Sequence, residues 1–281
     1  MDCGWRHKLG VGFTLGGGFE HFHGKHMDLA GKNIVITGGG SGIGRELAHR
    51  FRAQQAAGIC VADLQEAAVM AVAKEVGGLG VQCDVADENG VKALVAKAQA
   101  EFGPIDVFCS NAGIAQLGDE HVANAHWQRN WDIHVMAHVY AARAVVPSMI
   151  LRGSGYLVNT ASAAGLLSHV HSATYSVTKH AAVALAEWLS LTHGPAGIKV
   201  SVLCPQAVRT AMTQGREGGV ASVDGMMEPA VLAECVVETM AREAFLILPH
   251  PEVLDYLQRK TSDYDRWLSG MQRLKQKFDS Q

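Results

Sequence analysis

Residues 32–51 read KNIVITGGGSGIGRELAHRF, in which a short apolar run leads through a glycine-rich turn into a helical pattern. The run at 32–37 does not alternate with polar residues, which predicts a strand buried on both faces. Gly38, Gly42 and Gly44 permit a tight turn and close approach of the backbone to a ligand. The N–H groups that open the next helix would then face a pyrophosphate. The spacing is not G-x-G-x-x-G, and turns without a ligand use the same residues. The prediction of a phosphate-binding loop therefore rests on its position between a strand and a helix.

The same alternation of strand and helix continues along the chain. Helical patterns at 42–56 and 64–76 follow the first two strands, and others fill most later intervals. This order predicts an α/β fold, a single doubly wound parallel sheet of Rossmann-like type with helices on both faces and right-handed crossovers. The further strand candidates are 58–63, 79–84, 105–110, 155–160, 198–204 and 244–249.

Three segments lie outside this repeating pattern. Residues 1–26 are rich in Gly and His without periodicity, so we interpret them as a disordered extension and 27–281 as one catalytic domain. The glycine-rich segment 213–225 is typical of a mobile loop over a site or of a plain surface loop. The chain ends in a polar helical tail, for which we predict as docking residues Tyr256, Tyr264, Trp267 and Leu268.

Composition excludes several classes of function. Lys+Arg 24 against Asp+Glu 27, a net formal charge of -3, gives no global attraction to nucleic acid or an anionic membrane. No apolar stretch is long and uninterrupted enough to predict a membrane span. The six cysteines contain no C-x-x-C and mostly lie in strand-like runs, which indicates buried free thiols and a cytoplasmic location. The histidines form no H-E-x-x-H or Cys/His cluster, so we predict no catalytic metal.

Asp63 ends the second predicted strand, nineteen residues beyond Gly44. An acidic side chain at about this distance accepts hydrogen bonds from the adenosine ribose hydroxyls, and it would repel a 2′-phosphate. The sequence therefore favours NAD over NADP as the cofactor. Asp63 could also cap the following helix, and Arg45 after the loop could tolerate an extra phosphate.

Tyr175 and Lys179 stand one helical turn apart within SATYSVTKHAA (172–182) and therefore share a helix face. The pair is either a packed tyrosine beside a lysine whose charged end reaches water, or an acid–base pair. The pair forms the motif YSVTK (175–179), and three further motifs precede it in order: Asp84-Val85, SNAG (110–113) and Ser162. With T-G-x-x-x-G-x-G in the first loop, the chain from about residue 28 to 250 resembles the short-chain dehydrogenase/reductase family.

The resemblance implies a role for each catalytic position. Tyr175 would be the general acid/base that exchanges a proton with the substrate oxygen, and Ser162 would stabilise charge on that oxygen. Lys179 would hold the nicotinamide ribose and lower the pKa of the tyrosine. Together with the first loop, the resemblance implies these cofactor contacts: Gly38, Ser41, Gly42, Ile43, Gly44, Asp63, Asp84, Val85, Asn111, Ala112, Gly113, Tyr175, Lys179, Val208 and Thr210.

Two positions depart from the family pattern. Where the family usually has an asparagine whose backbone carbonyl holds a water of the proton relay, this chain has His134, followed by Ala137 in place of a glycine. His134 could serve the relay, leave a slow enzyme, or be structural. Gln206 replaces the glycine of the usual P-G after the sixth strand. Substrate-side candidates are Ala163, Ala164, Leu166, His169, Gln206 and Met212, which suggest a mainly apolar pocket.

These observations lead to one main function and two alternatives. The main hypothesis is an oxidoreductase that transfers a hydride between NAD(H) and a secondary alcohol or ketone of a small to medium, mainly apolar substrate. The alternatives are a dinucleotide-binding sensor or scaffold with weak turnover, which His134 favours, and an NADP-dependent carbonyl reductase. The resemblance also implies a homodimer or homotetramer, packed through the helix of His134 and Ala141 and the helix of Tyr175.

Overall fold

The protein is described from a computed structural model, in which residues 27–215 and 218–280 are described. Their strands form one parallel seven-stranded sheet in the order β3-β2-β1-β4-β5-β6-β7. The extension predicted over 1–26 lies outside the described residues. The strands are β1 (Asn33–Thr37), β2 (Gly58–Asp63), β3 (Leu79–Gln82), β4 (Val107–Ser110), β5 (Gly155–Thr160), β6 (Ile198–Leu203) and β7 (Leu246–Ile247).

Helices connect successive strands and cover both faces of the sheet. A π-helical turn, Asp132–Met136, joins two of them into one continuous helix, and short 3₁₀ turns lie at Gly194–Ala196 and Val220–Ser222. The helices are α1 (Gly42–Ala53), α2 (Glu66–Val76), α3 (Glu88–Phe102), α4 (Asn124–Trp131), α5 (Ala137–Arg152), α6 (Ala164–Leu167), α7 (Ala173–His193), α8 (Pro229–Ala241), α9 (Glu252–Ser262) and α10 (Tyr264–Asp279).

Each face of the sheet packs against its own apolar core. Ile34 and Ile36 of β1 join one core with α1, α2 and α8, while Val35 between them joins the other with α3, α5 and α7. Successive side chains of a strand point to opposite faces, so a strand buried on both sides must be apolar throughout. The two cores confirm the doubly wound sheet that the non-alternating strands predict.

Strand order fixes where a ligand can bind. β1 pairs with β2 on one side and with β4 on the other, so the connections leave the carboxyl ends of β1 and β4 in opposite directions. Open α/β sheets bind ligands in the crevice that this divergence creates. The predicted strand boundaries are too wide by two residues at four strand ends: 79–84 ends at Gln82, 105–110 begins at Val107, and 244–249 loses two residues at each end to become Leu246–Ile247.

The polar tail forms α9 and α10, and its docking residues differ in burial. Tyr256 and Trp267 pack against the core, as predicted. Tyr264 and Leu268 are wrong as docking residues, because more than half of each side chain is exposed (54% and 52%).

The cysteines and the long apolar helix agree with a packed core. Cys60, Cys83, Cys109 and Cys204 are buried free thiols, Cys235 is partly buried and free, and Cys3 lies outside the described residues. Among the described helices, the continuous helix Asn124–Arg152 has the length and hydropathy of a membrane span. Half of its most apolar window is buried inside the protein, where α5 packs in the core beneath the sheet.

Candidate active site

A cavity of about 1300 Å³ opens at the carboxyl ends of the strands. Most of the residues singled out in the sequence line it: Gly38, Ser41, Gly42, Ile43, Asp63, Asn111, Ala112, Gly113, Ser162, Ala163, Ala164, His169, Tyr175, Lys179, Gln206, Val208, Thr210 and Met212. Gly44, Asp84, Val85, His134 and Leu166 are not among its lining residues. The segment 213–225 also contributes several lining residues, so the interpretation of a loop beside the site fits its position.

The glycine loop is packed tightly against the end of β4. Gly38 has φ +63°, and a Cβ there would lie 2.8 Å from the Cα of Ala112. A Cβ at Gly44 would lie 2.1 Å from the carbonyl oxygen of Gly38, so this glycine lets α1 pack beneath the loop. The Asn111 side-chain amide donates to the Thr37 carbonyl at 3.1 Å and holds the β4 end against the loop. Gly44 therefore shapes the loop from below, and it does not line the cavity itself.

Asp63 lies at the cofactor end of the cavity and already serves the loop. Its Oδ2 accepts from the Gly40 N–H at 3.1 Å, and its Oδ1 accepts from the Gln65 N–H at 3.1 Å just before α2. The helix-start alternative is thus part of its role, while the residue still faces the cavity. Arg45 is engaged elsewhere, because its Nε donates to Glu75 at 3.0 Å.

Asp84 and Val85 do not line the cavity, and their contact with an adenine stays a prediction. β3 ends at Gln82, so both residues belong to the turn that leads into α3. The Asp84 carboxylate faces Arg129 of α4 at 3.3 Å, and Val85 is buried in the core.

Tyr175 and Lys179 face the cavity from α7. The Ser172 hydroxyl accepts from the Tyr175 N–H at 3.2 Å and so fixes the first turn of this helix. Lys179 is only 3% exposed, its Nζ donates to the Thr160 carbonyl at 2.9 Å, and it lies 5.5 Å from the centre of the Tyr175 ring. Ser162 follows β5, and its Oγ accepts from the Ala164 N–H at 3.1 Å. The three catalytic candidates therefore converge on one wall.

Burial governs the protonation of this wall. Desolvation raises the pKa of the Tyr175 phenol, and a hydrogen bond with Ser162 acts in the opposite direction. Desolvation lowers the pKa of Lys179 to about 8. Each charged form is disfavoured on its own in this low-dielectric environment. The lysine therefore titrates close to the pH at which a dehydrogenase would work.

His134 lies in the π-helical turn, fully buried behind the cavity wall. Its Nε2 accepts from the Ile114 N–H at 3.1 Å, so Nε2 is unprotonated and Nδ1 carries the hydrogen. That Nδ1 lies 2.9 Å from the Thr178 Oγ1, which itself donates to the Thr174 carbonyl at 2.8 Å. Desolvation, with the charge of Lys179, lowers the pKa of His134 to about 2. The ring is a neutral brace between the Ile114 backbone and α7.

Sequence reasoning missed the contribution of the chain's end to this cavity. Arg259 of α9 and Arg266, Arg273 and Lys277 of α10 line it, together with apolar side chains of α10. The signal was present, because positions 266, 273 and 277 recur at helical spacing on one face. Gln206, a substrate-side candidate, lines the cavity, and its amide donates to Asp224 at 2.9 Å. Over residues 27–215 and 218–280, no group of three potential metal ligands is found.

Comparison with known proteins agrees with this geometry. The sequence profile described as short chain dehydrogenase matches residues 32–219. The chain is 41% identical over 192 residues to a 2,5-dichloro-2,5-cyclohexadiene-1,4-diol dehydrogenase of Sphingobium indicum, covering 66% of this chain and 76% of the relative. It is 33% identical over 193 residues to meso-2,3-butanediol dehydrogenase of Serratia marcescens, covering 67% and 76%.

A solved structure shares the fold over most of the chain. It is a short chain dehydrogenase/reductase from Burkholderia phymatum in complex with NAD, with a TM-score of 0.79 and 28% sequence identity. The match covers 85% of this chain and 96% of the other. The fold of this chain is therefore that of a solved dehydrogenase, and both relatives are named as dehydrogenases of diols.

Proposed function

The chain belongs to the short-chain dehydrogenase/reductase family and is an oxidoreductase acting on CH–OH groups, and from this premise we propose its reaction. We propose that it transfers a hydride between NAD(H) and a secondary alcohol or ketone of a small to medium substrate with a largely apolar body. The observation that carries the proposal is the convergence of Tyr175, Ser162 and Lys179 on a cavity that also contains the glycine loop.

The cavity's residues fit a dinucleotide cofactor. The glycine loop lacks side chains where backbone must approach phosphates, and helix α1 begins directly behind it. When bound, the nicotinamide supplies the hydride chemistry. Asn111, Ala112 and Gly113 from the end of β4, with Val208 and Thr210 after β6, would hold the cofactor on the other side of the crevice.

The chain's own residues handle the proton. During alcohol oxidation, Tyr175 would accept the hydroxyl proton as the carbon–hydrogen bond breaks, and during ketone reduction it would return that proton to the oxygen. Ser162 would hydrogen-bond the same oxygen and stabilise its developing charge. Lys179, as an ammonium, would favour the phenolate form of Tyr175. His134 would contribute by position, because both ring nitrogens are engaged by protein groups.

The charges near the loop support NAD as the cofactor. The Asp63 carboxylate lines the cavity at the end of β2, where it would repel the 2′-phosphate of NADP. Arg45, the cation that could have offset this repulsion, is paired with Glu75. A direct comparison of affinities tests the point, since clear preference for NADP would refute the use of Asp63 and favour the NADP-dependent reductase.

A substrate panel with two variants tests the reaction. Purified protein is assayed with NAD and NADH against secondary alcohols and ketones, together with Tyr175→Phe and Ser162→Ala. Removing a general acid/base lowers rates by roughly 10²–10⁴-fold, so Tyr175→Phe should lose kcat while it still binds NAD. Undiminished turnover in Tyr175→Phe would overturn the mechanism. Tight NAD binding without turnover on any compound would favour the sensor alternative.

We further propose a homodimer or homotetramer in the cytoplasm. Large apolar side chains are exposed on α5 and α7, at Ile150, Leu151, Val177, Trp188 and Leu191. Exposed apolar patches of this kind are typical of interfaces between subunits. A sedimentation measurement that gives a monomer would contradict the proposal. The free thiols in the described chain support the reducing compartment.

A further inference from the structure

The C-terminal helices bring unpaired cations to the substrate end of the cavity. Arg259, Arg266, Arg273 and Lys277 line it, and their side chains have no hydrogen-bond or ion-pair partner among the described residues. Every other described arginine is bonded to a carboxylate, a carbonyl or a hydroxyl group, at 45, 50, 52, 129, 143, 152, 209 and 242. The unpaired arginines are thus confined to the helices over the cavity.

The acidic groups nearby do not neutralise this set. Asp224 also lines the cavity and keeps its negative charge, because its two oxygens accept from neutral donors, the Tyr256 hydroxyl at 3.0 Å and the Gln206 amide at 2.9 Å. One carboxylate offsets one of the four cations and leaves an excess of positive charge at this end. Asp279 is paired with Lys275 at 2.6 Å and His171 at 3.0 Å. Clefts lined by one sign of charge attract a ligand of the opposite sign. Guanidinium groups in particular bind carboxylates and phosphates through two parallel hydrogen bonds.

These helices are anchored beside the catalytic wall. Lys260 of α9 donates from its Nζ to the Leu166 carbonyl at 2.6 Å, next to the loop after β5. The Asp279 contact with His171 ties the end of α10 to the segment before Tyr175. The cations therefore belong to the end of the cavity near β5, where a substrate oxygen would meet Ser162.

The cations are too far from the cofactor's adenosine end to serve a 2′-phosphate. Asp63 ends β2, which is separated from β5 by three strand spacings in the sheet order. At about 4.8 Å per spacing this is about 14 Å. A phosphate beside Asp63 would thus lie on the other side of the crevice from the loop that anchors α9.

The same helix offers an apolar surface beside its charges. Trp267, Met271 and Leu274 of α10 also line the cavity and are partly buried. At 100° per residue, these three positions lie on one flank of the cavity face, and Arg266, Arg273 and Lys277 lie on the other. A ligand that fits both flanks has an apolar body and a negatively charged group.

We propose that the substrate is an amphipathic anion, in which an apolar chain or ring separates the reacting alcohol or ketone from a carboxylate or another oxyanion. Arg266, Arg273 and Lys277 bind the oxyanion, with Arg259 at the rim. Trp267, Met271 and Leu274 contact the apolar body. The inference rests on the proposed function for the reacting group, and it adds the class of the remote group.

Matched pairs of keto acids and methyl esters test the charge requirement. The probes are 5-oxohexanoate, 7-oxooctanoate and 9-oxodecanoate with their methyl esters, assayed for reduction with NADH. We expect the best acid to exceed its ester at least 10-fold in kcat/KM, mainly through KM. The double variant Arg266→Gln/Arg273→Gln should remove this preference, because the KM of the acids should rise toward that of their esters. The preference should also fall at high ionic strength, because these cations are exposed.

Lys275→Gln is the matched control. It removes one positive charge from the same helix at a position that does not line the cavity, so the acid preference should persist. Equal kcat/KM for acids and esters in the wild type, or a preference that the double variant retains, would overturn the inference while the proposed function stands.

Binding measured without turnover separates the two proposals. Calorimetry with decanoate and with methyl decanoate measures the contribution of the C-terminal cations to binding, because neither compound has a ketone to reduce. Decanoate binding that the double variant loses, in a protein that reduces none of the ketones, would support the inference and remove the proposed function. Failure of the wild type to bind decanoate more tightly than its methyl ester would overturn the inference directly.

Discussion

Substitutions of His134 distinguish between two roles of its ring, a structural contact and the transfer of a proton. Three variants divide its contacts: His134→Gln places an acceptor near the position of Nε2, His134→Asn places polar atoms near Nδ1, and His134→Phe keeps a ring without either. Asn and Phe leave the partly buried Ile114 N–H without its 3.1 Å acceptor. Thr178 keeps its 2.8 Å bond to the Thr174 carbonyl in all three variants. The loss at Ile114 should therefore dominate.

The expected magnitudes follow from these contacts. A fully buried N–H without a partner costs about 1–3 kcal/mol. Because the Ile114 N–H is only partly buried, His134→Asn and His134→Phe should lose about 1 kcal/mol of unfolding free energy. At about 2–4 °C per kcal/mol for a chain of this size, thermal unfolding resolves the change. His134→Gln should lose less than either. Ile114 lines the cavity, so Asn and Phe should also raise KM through a looser wall.

The pH profile of kcat provides the second measurement. The pKa of His134 is lowered to about 2, so its ring stays neutral at any pH suited to the assay. His134→Gln should therefore keep both the shape of the profile and kcat within a few-fold. A tenfold loss of kcat in a stable His134→Gln protein would refute a purely structural role and assign proton transfer to the ring. An inactive wild type that His134→Asn activates would support the sensor alternative.

Four further outcomes are expected. Gly44→Ala places a Cβ 2.1 Å from the carbonyl oxygen of Gly38, so the backbone must move by nearly 1 Å, and the affinity for NAD measured by calorimetry should fall sharply. The control variant Gly194→Ala, whose Cβ would have nothing within 4 Å, should bind NAD normally. In binding titrations, Asp63→Ala should weaken the affinity for NAD roughly 10–100-fold and reduce the difference in affinity between NAD and NADP. An unchanged ratio of the two affinities would contradict the role of Asp63. Since the pKa of Lys179 is lowered to about 8, kcat/KM should fall above that pH, and Lys179→Arg should move the fall upward if it retains activity. Burial lowers the pKa of His138 to about 3, so only the unfolded chain binds this proton below pH 6.5. His138 should therefore contribute about 1.4 kcal/mol per pH unit to the loss of stability, beside a similar contribution from His134, and His138→Leu should remove its own part of the slope in denaturant titrations.

The strands and the glycine loop could be predicted because their chemistry is local. A strand buried on both faces must be apolar at every position, as in β1, and the pattern can be seen without any partner. The tight approach at Gly38 likewise requires a residue without a side chain. Tyr175 and Lys179 share a face because of helical geometry alone. These features therefore appear in the amino-acid order itself.

Features that depend on distant contacts could not be predicted in the same way. The Asp84 carboxylate meets Arg129 of another helix, a partner that the order of residues does not indicate. Tyr264 and Leu268 looked like anchors, but the fold uses Tyr256 and Trp267 instead. The cationic face of α10 repeats at helical spacing, yet only the packing of α9 and α10 beside the cavity reveals which face points inward.

Burial and charge act against each other at Tyr175 and Lys179, and their balance explains why the two residues must act together. Desolvation raises the pKa of the phenol and lowers that of the ammonium to about 8, so neither charged form is favoured alone. The Lys179 Nζ lies 5.5 Å from the centre of the Tyr175 ring, and opposite charges at about this separation attract by roughly 3 kcal/mol at an effective dielectric constant of 20, equivalent to about 2 pKa units. This attraction is of the same order as the desolvation that lowers the pKa of Lys179. The two groups therefore titrate as a coupled pair, and a proton that leaves one changes the affinity of the other for its own. A more hydrated site would stabilise each charge separately and weaken this coupling. The burial that disfavours each charged form is therefore also what allows the charge of Lys179 to change the pKa of Tyr175.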